Sequence, residues 1–165
     1  MNASAARLQF LVGMERAVRY WLVYWQEHSH EPAALTTARD HALRALAWCL
    51  DHEHALDAAI DLALAINAHM LHQGLWWEWE ALLQRLLLRA SAAASPEQRF
   101  ALRHALGAIY FRQHRLDESL ALSHENHRWA VVAGHRRLQA DAAINLAEAY
   151  LNAGAPERAL AHAEE

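Results

Sequence analysis

Histidine is the most conspicuous side chain here that could do chemistry. Thirteen occur in 165 residues, and eight of them fall into close pairs: His28 with His30, His52 with His54, His69 with His72, and His124 with His127. Zinc needs three or four ligands converging tetrahedrally, often two of them at i, i+4 on one helical face. His69/His72 and His124/His127 stand at i, i+3, no spacing supplies a third ligand, and His124-Glu125-Asn126-His127 is one residue short of HExxH. The expectation is therefore that no metal is bound. Other chemistry is excluded more directly. Lysine is absent, so a P-loop and Schiff-base catalysis cannot be housed in this chain. No Gly-x-Ser-x-Gly occurs, and the adjacent carboxylates Asp117-Glu118 and Glu164-Glu165 read as solvated faces. The single cysteine, Cys49, lies in the apolar run Ala47-Trp48-Cys49-Leu50 and reads as a buried small hydrophobe in a protein of the reducing cytoplasm. The expectation is a non-enzyme without a cofactor.

The elements that would position these side chains are helices. With 37 Ala, 26 Leu, only 5 Gly and 3 Pro, the composition favours an all-α fold. Apolar spacings of three and four, broken at turn residues, predict eight helices: 4–28, 35–50, 55–72, 75–91, 97–113, 116–132, 136–152 and 156 to the end. Ser95 ahead of Pro96, Glu97 and Gln98 is a helix-start signature, and Pro156-Glu157 opens the last helix similarly. The net charge of −4, with arginines scattered apart from Arg136-Arg137, argues against a nucleic-acid partner. No cationic leader precedes an apolar run, and no run approaches the ~18 residues of a membrane span.

A period of 40 residues organises the second part of the chain. It aligns Gly74, His114 and Gly154; Ile66, Leu106 and Leu146; Met70, Tyr110 and Tyr150; Leu71, Phe111 and Leu151; Ala81, Ala121 and Ala161; and Leu62, Leu102 and Ala142. The repeat begins near His54. Residues 1–54 read as a non-repeating two-helix lead-in, and 55–165 as repeats at 55–94, 95–134 and a truncated 135–165. Leu106-Gly107-x-x-Tyr110 and Leu146-Ala147-x-x-Tyr150, with Ala121 taken as the packing residue of the second helix, resemble the tetratricopeptide repeat. That resemblance implies a right-handed α-solenoid of antiparallel helix pairs. Arg16 to Leu22, Asp40 to Trp48, and Gly74-x-x-x-Glu78 followed by Leu82 and Leu86 are similar to a segment of bacterial STAND-type signalling ATPases, the maltose-regulator and antibiotic-regulator relatives. There the segment follows an NTPase core and winged helix, which implies that this chain is a piece of a longer regulator.

Solenoids offer extended concave faces for binding. By the repeat's register the inward positions are Asp61, Leu64, Ala65, Ala68, Leu71 and His72 in the first unit. In the second they are Ala101, His104, Ala105, Ala108, Phe111 and Arg112. In the third they are Asp141, Ile144, Asn145, Glu148, Leu151 and Asn152. Of these, His72, His104, Phe111, Arg112, Asn145, Glu148 and Asn152 are the candidate groove residues for a protein, a peptide or a small effector. The Lys/Asn/Arg clamp of chaperone-binding tetratricopeptide proteins is missing, since Ala68, Ala108 and Glu148 occupy the Asn column, so an acidic C-terminal peptide is not the expected ligand. Trp76 and Trp79 share a face and read as core, whereas Trp77 points away. Trp21, Trp25 and Trp77 are candidate interface residues, with a homodimer through the aromatic first helix as one outcome. Function thus reads as a non-catalytic sensor or interaction domain of a signal-transduction or transcription regulator, with a self-associating scaffold as the alternative.

Overall fold

The computed structural model describes residues 3–89 and 94–163. Ser91, in the expected break before the fifth helix, and the pair Glu164-Glu165 lie outside the described residues. The described chain is helical throughout, without strands: α1 Ala3–Glu27, α2 Pro32–His52, α3 Leu56–His72, α4 Trp76–Arg89, α5 Pro96–Arg112, α6 Leu116–Val132, α7 Arg136–Asn152 and α8 Pro156–Ala163. α2 starts three residues before the expected position because Pro32 takes the first helical position, where its missing N–H costs nothing. At the start of α5, Ser95 Oγ accepts from the Gln98 amide at 3.1 Å and Gln98 Oε1 accepts from the Ser95 amide at 2.9 Å, a reciprocal capping box.

One turn recurs at the expected period. At the ends of α3, α5 and α7, the left-handed backbone is held by Gly74 (φ +72°), His114 (φ +60°) and Gly154 (φ +74°). In each, that residue's amide donates to the carbonyl three back, at Leu71, Phe111 or Leu151. The following amide donates five back, to Met70, Tyr110 or Tyr150. This pair of bonds closes the helix end and launches the next helix within three residues. The column Gly74/His114/Gly154 is therefore a conformational requirement, met at His114 by a residue that carries a Cβ.

The chain packs as two compact units, Met1–Gln98 and Arg99–Glu165. In the first, stacked rings at Trp21/His41 and an edge contact at Phe10/His52 show that α1 and α2 run antiparallel. Asn67/Trp79 shows the same for α3 and α4. Ion pairs Arg85–Asp51 and Arg89–Glu53 set α2 and α4 in the same sense. Arg19–Asp57 and Trp25/His69 do so for α1 and α3. The lead-in helices share no column with the repeat, yet they pack as a helix pair of the same kind. The fully buried Leu46, Leu50, Ile60, Leu62, Ile66, Leu83 and Leu86 each contribute about 1.5–3 kcal/mol by leaving water. Cys49 is buried among them, as expected.

In the second unit, Phe100, Ala130, Leu138 and Ala142 form one core cluster with Trp129 against it. Leu146, Ala147, Tyr150 and Ala159 form another, flanked by Leu120 and Ala155. Here the structure corrects one expectation. Ala81, Ala121 and Ala161 are exposed, so they are not where paired helices meet. The residues that meet lie two positions earlier, in columns 67/107/147 and 79/119/159. Trp79 Nε1 donates to Asn67 Oδ1 at 2.8 Å, Ser119 Oγ donates to the Gly107 carbonyl at 2.9 Å, and Ala147 and Ala159 share an apolar cluster. Two residues is about 200° around a helix, which turns the column at 81 to water.

Candidate functional site

The face predicted from the first repeat borders a cavity of about 820 Å³ in the first unit. Asp61, Leu64, Ala65, Ala68 and His72 of α3 form one wall, together with His69. Leu22, Trp25 and Gln26 of α1 form the other, and Pro32 and Leu35 at the start of α2 close one side. The alanines make this wall low, and the parallel course of α1 and α3 makes the cavity elongated. Asp61, Ala68, His72 and Gln26 are exposed, so it is an open groove rather than an enclosed hole.

His69 is the unusual member. It is 8% exposed, its ring meets Trp25 edge-on at 5.4 Å, and its Nε2 is buried with no hydrogen-bond partner. Burial, then the charges of Arg39 and His72, hold its pKa below the usual value, so the ring is neutral near pH 7. At the other end, Asp61 Oδ1 accepts from Gln98 Nε2 at 2.7 Å, and its charge acts on Arg19 together with those of Glu15 and Asp57. Asp61 is the only formally charged group of the lining. The groove can therefore take an apolar body with a cationic end at Asp61.

In the second unit, His104 of α5 and Glu148 of α7 are both exposed and act on one another. Desolvation lowers the His104 pKa and the Glu148 carboxylate opposes that shift. The register thus brings these two predicted residues into one field. Phe111 and Asn145 are half-buried and Arg112 and Asn152 exposed on α5 and α7.

The aromatic candidates divide. Trp77 is 67% exposed. Trp21 is half-buried, stacked at 5.5 Å on His41. Trp25, expected at an interface, is 2% exposed and belongs to the groove wall and core instead. The side of α1 that carries Trp25 is the one turned towards α3. Trp79 is fully buried, and Trp76 is half-buried with its indole N–H donated to the Leu71 carbonyl at 3.0 Å. The sequence reading assigned no groove residue to α1. The available signal was the i, i+3, i+4 set Leu22, Trp25 and Gln26, which places two apolar side chains and an amide on one side of that helix.

The pair His124 and His127 is occupied in packing. His124 Nε2 lies 2.8 Å from Tyr150 Oη, and the His162 ring stacks on Tyr150 at 5.5 Å and faces His127 at 5.8 Å. Among the described residues no group of three or more His, Cys, Asp or Glu side chains is placed to hold a metal ion. Nor, among them, is any helix long and apolar enough to cross a membrane.

No protein-family model and no curated protein matches the chain. Among solved structures it is similar to a kinesin light chain from Podosopora anserina, a crystal structure of nearly identical TPR-like repeats. The two superpose with a TM-score of 0.71 over 92% of this chain and 73% of the other, at 15% identity. That likeness shows the fold: an all-helical, TPR-like repeat of antiparallel helix pairs.

Proposed function

We propose that the chain is a non-catalytic binding domain that presents the accessible faces of its first-in-pair helices to another protein or an effector. The observation that carries this reading is the 820 Å³ groove, bordered by five of the six positions that the repeat register turns inward in its first unit. TPR-like architecture supports it, since stacked helix pairs expose extended surfaces that suit binding better than catalysis. The resemblance of Arg16 to Leu22 and Asp40 to Trp48 to STAND-type regulators supports a place in a bacterial signalling or transcription regulator of the cytoplasm. There, a ligand that prefers one arrangement of the helices would shift its population and pass that preference to a nucleotide-driven core.

The test is selection from a randomised peptide library on the native chain, followed by binding to Ala68→Trp, which fills the groove at an exposed position, and to Glu148→Arg. Selected peptides should lose tenfold or more in affinity on one of the two variants. Peptides that bind both variants as tightly as the native chain overturn the reading. A self-associating scaffold is the second reading, favoured by Leu8, Val12, Tyr20 and Val23, exposed on one side of α1. Sedimentation should then show dimers that Val12→Glu converts to monomers, and a native chain monomeric at high concentration removes this second reading.

A further inference from the structure

We infer that α8 is a pH-operated clasp, docked on α6 and α7 while the histidines at its seat are neutral and released when they gain protons. The device is separate from the groove of the first unit.

The seat is built around Tyr150 of α7. His124 Nε2 of α6 lies 2.8 Å from Tyr150 Oη, the His162 ring of α8 stacks on Tyr150 at 5.5 Å and 2°, and the Arg158 guanidinium of α8 stands 5.9 Å from the same ring. The His162 ring is 6.1 Å from that of His124 and 5.8 Å from that of His127. All three histidines are half-buried, so protons reach them. Neutral, they pack as aromatic rings. Protonated, two cations of α6 face a cation of α8 across those distances, with Arg128 and Arg158 already charged beside them. The carboxylates of these helices are engaged elsewhere or lie in water. Glu125 of α6 is 3.8 Å from Arg103 of α5, Glu148 of α7 acts on His104 of α5, and Glu157 is exposed in the first turn of α8.

Desolvation, followed by the charges of His162, Arg128 and His127, holds the His124 pKa below the ordinary value of about 6.5. His162 is the part of this that α8 brings. By linkage, whatever α8 takes from the proton affinity of His124, a proton on His124 takes from the docking of α8. The docked form is therefore fully favoured above about pH 6.5 and loses that advantage as pH falls through the folded value. Little else holds the helix. Ala159 is the one buried side chain among the described residues of α8. Its eight residues are also fewer than the ~12–15 that persist as a helix alone in water. Release thus melts α8 as well as undocking it, and uncovers Leu146, Ala147 and Tyr150.

The experiment follows the Cα chemical shifts of the full chain by NMR from about pH 7.5 to about pH 5, without denaturant. The shifts of Arg158 to Ala161 should leave the helical range as pH falls, the docked population dropping at least about tenfold, while those of Leu138, Ala142 and Leu146 in α7 stay helical. Two perturbations should move the release to lower pH: about 1 M NaCl, which screens the repulsion, and His124→Gln combined with His127→Gln, which removes the α6 charges and leaves α8 unaltered. The salt reading is made on the native chain and stands should the double variant fail to fold. Shifts in α8 that remain helical to the acid end, that are non-helical already at the neutral end, or that change together with those of α7 overturn the inference. So does a release whose midpoint is unmoved by salt, or by the double substitution in a variant that folds.

Discussion

His114 holds a backbone conformation that glycine holds at the equivalent positions 40 residues to either side, and this permits a test with opposite signs at one turn type. Its φ is +60°, against +72° at Gly74 and +74° at Gly154, with the same two capping bonds at each. An L-residue in the left-handed region costs roughly 1–2 kcal/mol. Introducing glycine gives back about 0.4–1 kcal/mol through the freedom of the unfolded chain. The difference leaves His114→Gly more stable by about 0.8 kcal/mol. At Gly74 and Gly154 an added Cβ meets nothing within 4 Å, so only the φ cost acts there. Gly74→Ala and Gly154→Ala are therefore destabilised by about the same 0.8 kcal/mol. For a chain of this size that corresponds to about 2–3 °C in Tm. Urea unfolding followed by circular dichroism reads the change as a shifted midpoint at constant slope. A His114→Gly midpoint that stays put or falls, at unchanged slope, would refute the reasoning, because the strain it relieves would then be absent or outweighed by the histidine side chain.

Four further outcomes follow from named contacts. Trp79→Phe strands the Asn67 acceptor and leaves a cavity where the fully buried indole lay, costing about 2–3 kcal/mol; adding Asn67→Ala should recover part of that loss, and strictly additive double-mutant energies would contradict the pairing. His124, desolvated and beside His162, Arg128 and His127, has a folded pKa below the ordinary histidine value of about 6.5, so the folded state binds its proton more weakly than the unfolded one and stability is fully present above about pH 6.5 and lost as pH falls through the folded value. The urea midpoint should drop between pH 7.5 and 5.5, less so in His124→Gln, and a flat profile would count against it. Cys49, buried and with its thiol pushed up to about 11, should be alkylated at pH 8 at least about 100-fold more slowly than a free thiol and at the ordinary rate in urea; rapid labelling of the native chain is the contrary result. Glu148→Gln should lower the His104 pKa further, since that carboxylate is what opposes desolvation there; an unchanged titration of the His104 ring resonances would separate the two residues.

What was legible in the sequence follows from how much information each residue type carries. Leu106, Tyr110 and His114 could be aligned with Leu146, Tyr150 and Gly154 because large apolar residues and a turn position are each costly to misplace, so the 40-residue period emerged together with the helix boundaries. The alanine column was misread for the converse reason. With 37 alanines in 165 residues, the match of Ala81, Ala121 and Ala161 carries almost no information, whereas the true contact column, Trp79, Ser119 and Ala159, looks unrelated by identity. Its unity lies in complementarity: Trp79 with Asn67, Ser119 with the carbonyl of Gly107, and Ala159 with Ala147 each fill the same space between helices by a different division of volume.

The same logic explains why α1 and α2 show no repeat in sequence yet pair as α3 and α4 do, and why Trp25 was placed on the wrong side. Trp21 and Trp25 are about 40° apart around α1, with Tyr20 and Tyr24 beside them, so the aromatic arc is wide enough to face either water or core. Only the position of α3 decides between them, and that depends on a contact 44 residues away between Trp25 and His69. The groove inherits this division. Its α3 wall could be read from periodicity, while its α1 wall, and the buried histidine between the two, exist only once the helices are packed.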